Sequence, residues 1–138
     1  MWLSVLIFLL SPQQVAGWET FAEVEFEIRH IEELGYDVEY PIFNQEILRK
    51  DGDIMELSGH YLPLDYGREK IIISKLPFAS CFFCGGGVGQ ETIAEIQFAG
   101  KTRRFIPDEI VTIRGRLKLN QSDYDHMVFI LEEAELVE

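Results

Sequence analysis

Between Glu23 and Ile28 the chain alternates acidic and apolar side chains, with Val24, Phe26 and Ile28 set against Glu23, Glu25 and Glu27. A period of two places the two sets on opposite sides of an extended backbone, so the segment reads as a strand with one wet face, not as a helix. The rhythm returns over residues 92–98 and 110–119, where Ile113, Leu117 and Leu119 share a parity and Gly115 marks a bulge or sharp bend. Residues 54–64 and 69–76 read as a hairpin joined across Asp65-Tyr66-Gly67-Arg68, and residues 126–136 as a last strand after the polar turn Asn120-Gln121-Ser122-Asp123. Between these, residues 31–43 look irregular, with Gly35 and Pro41 as breakers. Asn44 is placed to cap one helical turn running through Lys50, and Asp51-Gly52 to turn the chain after it.

Five or six strands with short connections must bury one shared apolar face. A small closed barrel does this while removing sheet edges. The expected fold is therefore all-β: a five- to six-stranded barrel resembling the oligonucleotide/oligosaccharide-binding type, with at most one short helix and a β-sandwich as runner-up. With 47% hydrophobic residues the chain is too apolar for a disordered tail, and two cysteines are too few for a disulfide framework. No repeat or Pro/Ser-rich linker follows Trp18, so residues 18–138 form one domain.

Residues 2–10, Trp-Leu-Ser-Val-Leu-Ile-Phe-Leu-Leu, are apolar and end at Ser11-Pro12, before the small residues Ala16 and Gly17. The run is shorter than the ~20 residues that span a bilayer, so no stable membrane span is expected. It reads as the core of an export signal covering residues 1–17, cut near Gly17, although no basic residue precedes it. That places the mature protein outside the cytoplasm, in a periplasm or secreted. The net charge of −12 opposes a phosphate backbone, and nucleic acid is not an expected partner. A metal ion or another envelope protein suits the charge and the compartment.

The chemically pointed segment is Ser80-Cys81-Phe82-Phe83-Cys84, followed by Gly85-Gly86-Gly87-Val88-Gly89. Its C-x-x-C pair is compatible with a disulfide, a metal half-site, a redox couple or two inert thiols. A disulfide suits an exported chain, but chain-entropy arithmetic gives so small a ring only about 2 kcal/mol. Thiol exchange with Cys81 attacking and Cys84 resolving lacks the helix that would follow the motif and lower a thiol pKa. A zinc or copper site needs further ligands, for which His60 and His126 are candidates, with His30 behind them. A hairpin centred on Tyr66-Gly67 would set His60 opposite Ile73, near the loop. The glycines match neither a phosphate loop nor a dinucleotide fingerprint; they permit a tight loop whose Phe82 and Phe83 either plug the barrel, the preferred reading, or offer a surface patch. No Ser-His-Asp set or His-Glu-x-x-His helix is evident, and Asn120-Gln121-Ser122 matches a glycosylation sequon.

At Gly59-His60-Tyr61-Leu62-Pro63-Leu64 and again at Ser80-Cys81-Phe82-Phe83-Cys84-Gly85-Gly86, the chain resembles the domain of unknown function 3299 family of exported bacterial proteins. The resemblance spans residues 18–136. It implies a small secreted or lipoprotein β domain with no established activity, some relatives accompanying metal-handling or transport systems. Two departures stand out: the segment after the Cys pair is longer than the family's Gly-Gly-Ala-Gly-Pro-Glu, and no Cys closes the signal for lipid attachment. The resulting expectation is an exported, non-enzymatic binding module whose functional surface is the loop around Cys81 and Cys84. A metal-handling accessory and a thiol-disulfide oxidoreductase are the alternatives.

Overall fold

The computed structural model describes residues 14–64, 69–84 and 87–137, leaving aside the side chain of Cys84. The apolar run 2–10, the turn 65–68 and Gly85-Gly86 lie outside the described residues.

The elements in chain order are α1 (Glu19–Ala22), β1 (Glu25–Ile31), β2 (Tyr36–Ile42), α2 (Gln45–Lys50), β3 (Ile54–Leu62), β4 (Lys70–Ser74), β5 (Ile93–Phe98), β6 (Ile110–Leu119) and β7 (Phe129–Val137). The last five close into a barrel in the order β3-β4-β5-β7-β6. All neighbours are antiparallel except β5 and β7, which run parallel, so the chain crosses the barrel between them by way of β6. This is the small all-β barrel expected from the alternation. It carries two short helices rather than one, because α1 gives no periodic signal in its four residues.

Alternation places Leu57, Ile71, Ile73, Ala94, Ile96, Val111, Ile113, Leu117 and Leu131 in the central core. Gly59 and Gly115 face the same interior for a steric reason. A Cβ on Gly59 would lie 2.8 Å from the Ser74 carbonyl oxygen and 2.8 Å from the Trp18 ring, and one on Gly115 would lie 3.0 Å from Leu131 Cβ. The β6–β7 register shifts opposite Gly115, but the extra residue is on β7 and not at the glycine: Glu133, with φ +50°, and Ala134 both face Gly115, while β6 stays in register with β3.

One end of the barrel is closed by α1. Phe21, fully buried, stacks on Phe129 with ring centroids 4.0 Å apart, and Trp18 meets Phe21 edge-on at 5.8 Å. The Trp18 indole N–H and the Ala16 amide both donate to the Ser58 carbonyl, at 2.8 and 3.1 Å. The plug is thus aromatic but comes from residues 18–22, not from the Cys loop.

The largest departure from the sequence reading is β1 and β2. They form a hairpin of their own, paired from Glu25↔Ile42 to Ile31↔Tyr36, instead of β1 joining the barrel and residues 31–43 being irregular. Gly35 supplies the positive φ of its turn, and Pro41 sits near the base, where a two-stranded ribbon does not need every N–H. Its outer half is solvated on both faces, with Ile28 67% and Tyr36 57% exposed. Asn44 caps α2 as expected, its side chain accepting from the Ile47 amide at 2.9 Å. Among the described residues, no helix is long and apolar enough to cross a membrane.

Candidate functional site: the strap over the barrel wall

The outside of the barrel is divided. Across β3, β6 and β7 it is charged and wet: Arg114 bridges Glu56 and Glu135, Arg116 faces Glu133, and Lys118 faces Glu132. On β4 and β5 it carries an apolar patch, where Leu62 at the end of β3, Ile72 and Ile93 face outward together beside Ser74 and Glu95. Residues 75–92 leave the plugged end of the barrel and fold back across this wall in three short 3-10 turns. Cys81 is the residue they press into it. It has no exposed surface and packs with Leu62, Ile72 and Ile93, while Phe82, Leu64 and Met127 close over the cluster. Cys81 is disulfide-bonded, not a free thiol.

Cys81 therefore does not stand out into solvent, and Phe82 fills a second small core outside the barrel instead of plugging its interior. Phe83 packs edge-on against Phe82 at 5.3 Å and remains 39% exposed. Thiol attack by Cys81 would require the strap to lift.

The strap is fastened where it leaves β4. Ser74, fully buried, accepts from the Leu76 amide through its hydroxyl at 3.0 Å. Asp108 receives the Phe78 amide on its carboxylate at 2.6 Å while its carbonyl meets His60 Nδ1 at 3.0 Å. Asp108 holds φ at +67°, a left-handed conformation that Asp tolerates better than most side chains. His60 pairs with Ser74, not with Ile73: the β3–β4 register is shifted by one residue from the expected one, which changes the opposite partner of every residue.

On the same outward face, next to Ile93, is a group that the sequence reading missed. Glu95 on β5 has no exposed surface, yet it accepts from three donors. His126 Nδ1 lies at 2.8 Å, Gln97 Nε2 at 2.6 Å and the Met127 amide at 3.4 Å. In the run Ile93-Ala94-Glu95-Ile96 the alternation marks Glu95 as wet, and the β6–β7 connection, through His126 and Met127, folds onto that outward position. Asn120 shapes that connection. Its buried amide nitrogen donates to the carbonyls of Asp123, Met127 and His126, so the sequon-matching side chain is committed inside the fold.

The four residues singled out from sequence are thus distributed around the strap. Cys81 is at its centre, Cys84 follows within its second 3-10 turn, His60 is on β3 and His126 precedes β7. His60 and Glu95, the partner of His126, stand two strands apart, which is on the order of 10 Å. In both rings Nδ1 is anchored on oxygen, so Nε2 is the nitrogen that a ligand would meet. Among the described residues no three His, Cys, Asp or Glu side chains group closely enough to hold a metal ion. His30 lies elsewhere, bonded to Asp37 on the exposed hairpin.

No protein family, curated protein or solved structure matches the chain in comparison.

Proposed function

We propose that the protein is an extracytoplasmic, non-enzymatic binding domain of the kind implied by the resemblance to exported β proteins, and that Cys81 and Cys84 are joined in a disulfide that locks the strap. The observation that carries this reading is the complete burial of Cys81 in an apolar cluster between the strap and the barrel wall. A redox or metal-carrying sulfur must be reached by its partner, whereas a sulfur packed under Phe82 serves as a clasp. Export is supported by the apolar run 2–10 and the small residues before Trp18, and a lasting disulfide is at home in an oxidising compartment. A cut near Gly17 removes the Ala16 bridge to β3 but keeps the Trp18 indole on the Ser58 carbonyl.

The test is made on mature protein recovered from the extracytoplasmic fraction without reductant. The reading predicts no catalysis of insulin reduction by a dithiol and no bound transition metal. Turnover in the first assay would replace it with the oxidoreductase. The anchoring of both histidines through Nδ1 favours one second reading, the metal-handling accessory, and one tightly held zinc or copper per chain would establish that instead.

A further inference from the structure

The barrel has a second end, opposite α1, where the described residues leave a cavity. Tyr61, Ile71 and Phe98 at the strand ends and Phe105 in the β5–β6 connection surround a cavity of about 780 Å³. That is within the range of roughly 300–1,000 Å³ found for small-molecule sites. Its aromatic wall is continuous: Phe105 lies 5.4 Å from Tyr61 and stacks near-parallel to Phe98 at 6.1 Å. Each of these rings is half-buried, so each keeps a surface toward the opening.

Lys101, Arg103 and Arg104 line the same opening. Arg103 is committed: it is held by both carboxylate oxygens of Glu109 at 2.8 and 3.1 Å and lies 4.7 Å above the Phe105 ring. Lys101 and Arg104 are exposed, and among the described residues they have no ion pair and Glu69 is the one acid lining the cavity. In a chain with twice as many acids as bases, Arg114, Arg116 and Lys118 on the outer wall each face a carboxylate. The mouth therefore combines aromatic surface with two uncommitted cations.

We propose that this end of the barrel binds a small organic anion with a planar apolar body, its ring stacked among Tyr61, Phe98 and Phe105 and its anionic group held by Lys101 and Arg104. Neither half suffices alone: stacking without charge accepts any apolar ring, and the cations alone hold an anion only weakly in water. The site is separate from the strap, so failure here leaves the reading of the disulfide and of export standing.

The probe is 1-anilinonaphthalene-8-sulfonate, with uncharged N-phenyl-1-naphthylamine as the same ring system without the sulfonate. Native protein is expected to bind the sulfonate saturably, one per chain, by fluorescence titration, and to bind the uncharged analogue about tenfold more weakly. The K101Q/R104Q variant is expected to lose about tenfold in affinity for the sulfonate, with added salt weakening the native protein similarly. The charge-matched K118Q/R49Q variant should stay near native. No saturable binding by native protein, equal binding of the two dyes, or an equal loss in the K118Q/R49Q control would each overturn the proposal.

Discussion

Removing the His126 ring should show what holds a fully buried carboxylate in this barrel wall. In the native protein Glu95 has three donors, but they are unequal: Met127 N–H at 3.4 Å is long, so His126 and Gln97 carry most of the stabilisation. His126→Ala leaves one good hydrogen bond for a carboxylate that water does not reach. A hydrogen bond to a charged group contributes about 1.5–3 kcal/mol, and breaking a fully buried pair costs about 3–5 kcal/mol. The His126 side chain is 33% exposed, so water can enter its place, and the expected cost falls at about 2–3 kcal/mol. In a chain of this size that lowers the melting temperature by roughly 6–15 °C, read by circular dichroism. Glu95→Leu removes the charge itself, so the E95L/H126A double variant should be less destabilised than the two single effects added together. An H126A variant within about 0.5 kcal/mol of native, or strictly additive single effects, would refute the argument that the imidazole compensates the buried charge.

Phe21→Ala should remove the aromatic plug from the closed end and cost about 3–5 kcal/mol in urea unfolding; a loss under about 1 kcal/mol would mean that α1 contributes little to the core. Gly59→Ala forces a Cβ to within 2.8 Å of both a backbone oxygen and the Trp18 ring, so it should destabilise by about 1–3 kcal/mol and alter Trp18 fluorescence. Glu109 is held below the usual carboxylate range chiefly by its side-chain hydrogen bond from Arg103, reinforced by the Ile106 amide. A depressed folded pKa adds stability that is present above the unfolded value near pH 4.3 and is lost as pH falls through the folded value. Glu109→Gln should therefore flatten the acid limb of a stability–pH curve below about pH 5 while leaving its shape near pH 7 unchanged.

The strands that alternate on a single buried face were legible in the sequence. Ile110–Leu119 has the bounds that its pattern indicates, but β6 itself runs unbroken through Gly115: the bulge is on β7, where Glu133 and Ala134 stand opposite that glycine. The β1–β2 hairpin was only half legible: acid-apolar alternation identifies β1, but nothing local reveals that both faces of a strand end up in water. Residues 36–42 hide their pairing because Tyr, Val and Pro there answer to β1 and not to the core. The strap was visible as a motif but not as a cover. Whether Cys81 points outward or inward depends on Leu62, Ile72 and Ile93 meeting on one outer wall, and that is set by the register of β3, β4 and β5. Glu95 was hidden for the same kind of reason, since its wet parity becomes dry only when His126 and Met127, some thirty residues later in the chain, fold onto it.

The central claim, that Cys81 is a buried clasp on an exported barrel, is tested most directly by intact-mass analysis of the mature, unreduced protein alkylated under denaturing conditions. The account predicts a chain lacking residues 1–17 that takes up no alkylating reagent until a reductant is added. Two alkylated cysteines in a chain that still melts cooperatively as the native protein does, before any reductant, would contradict it.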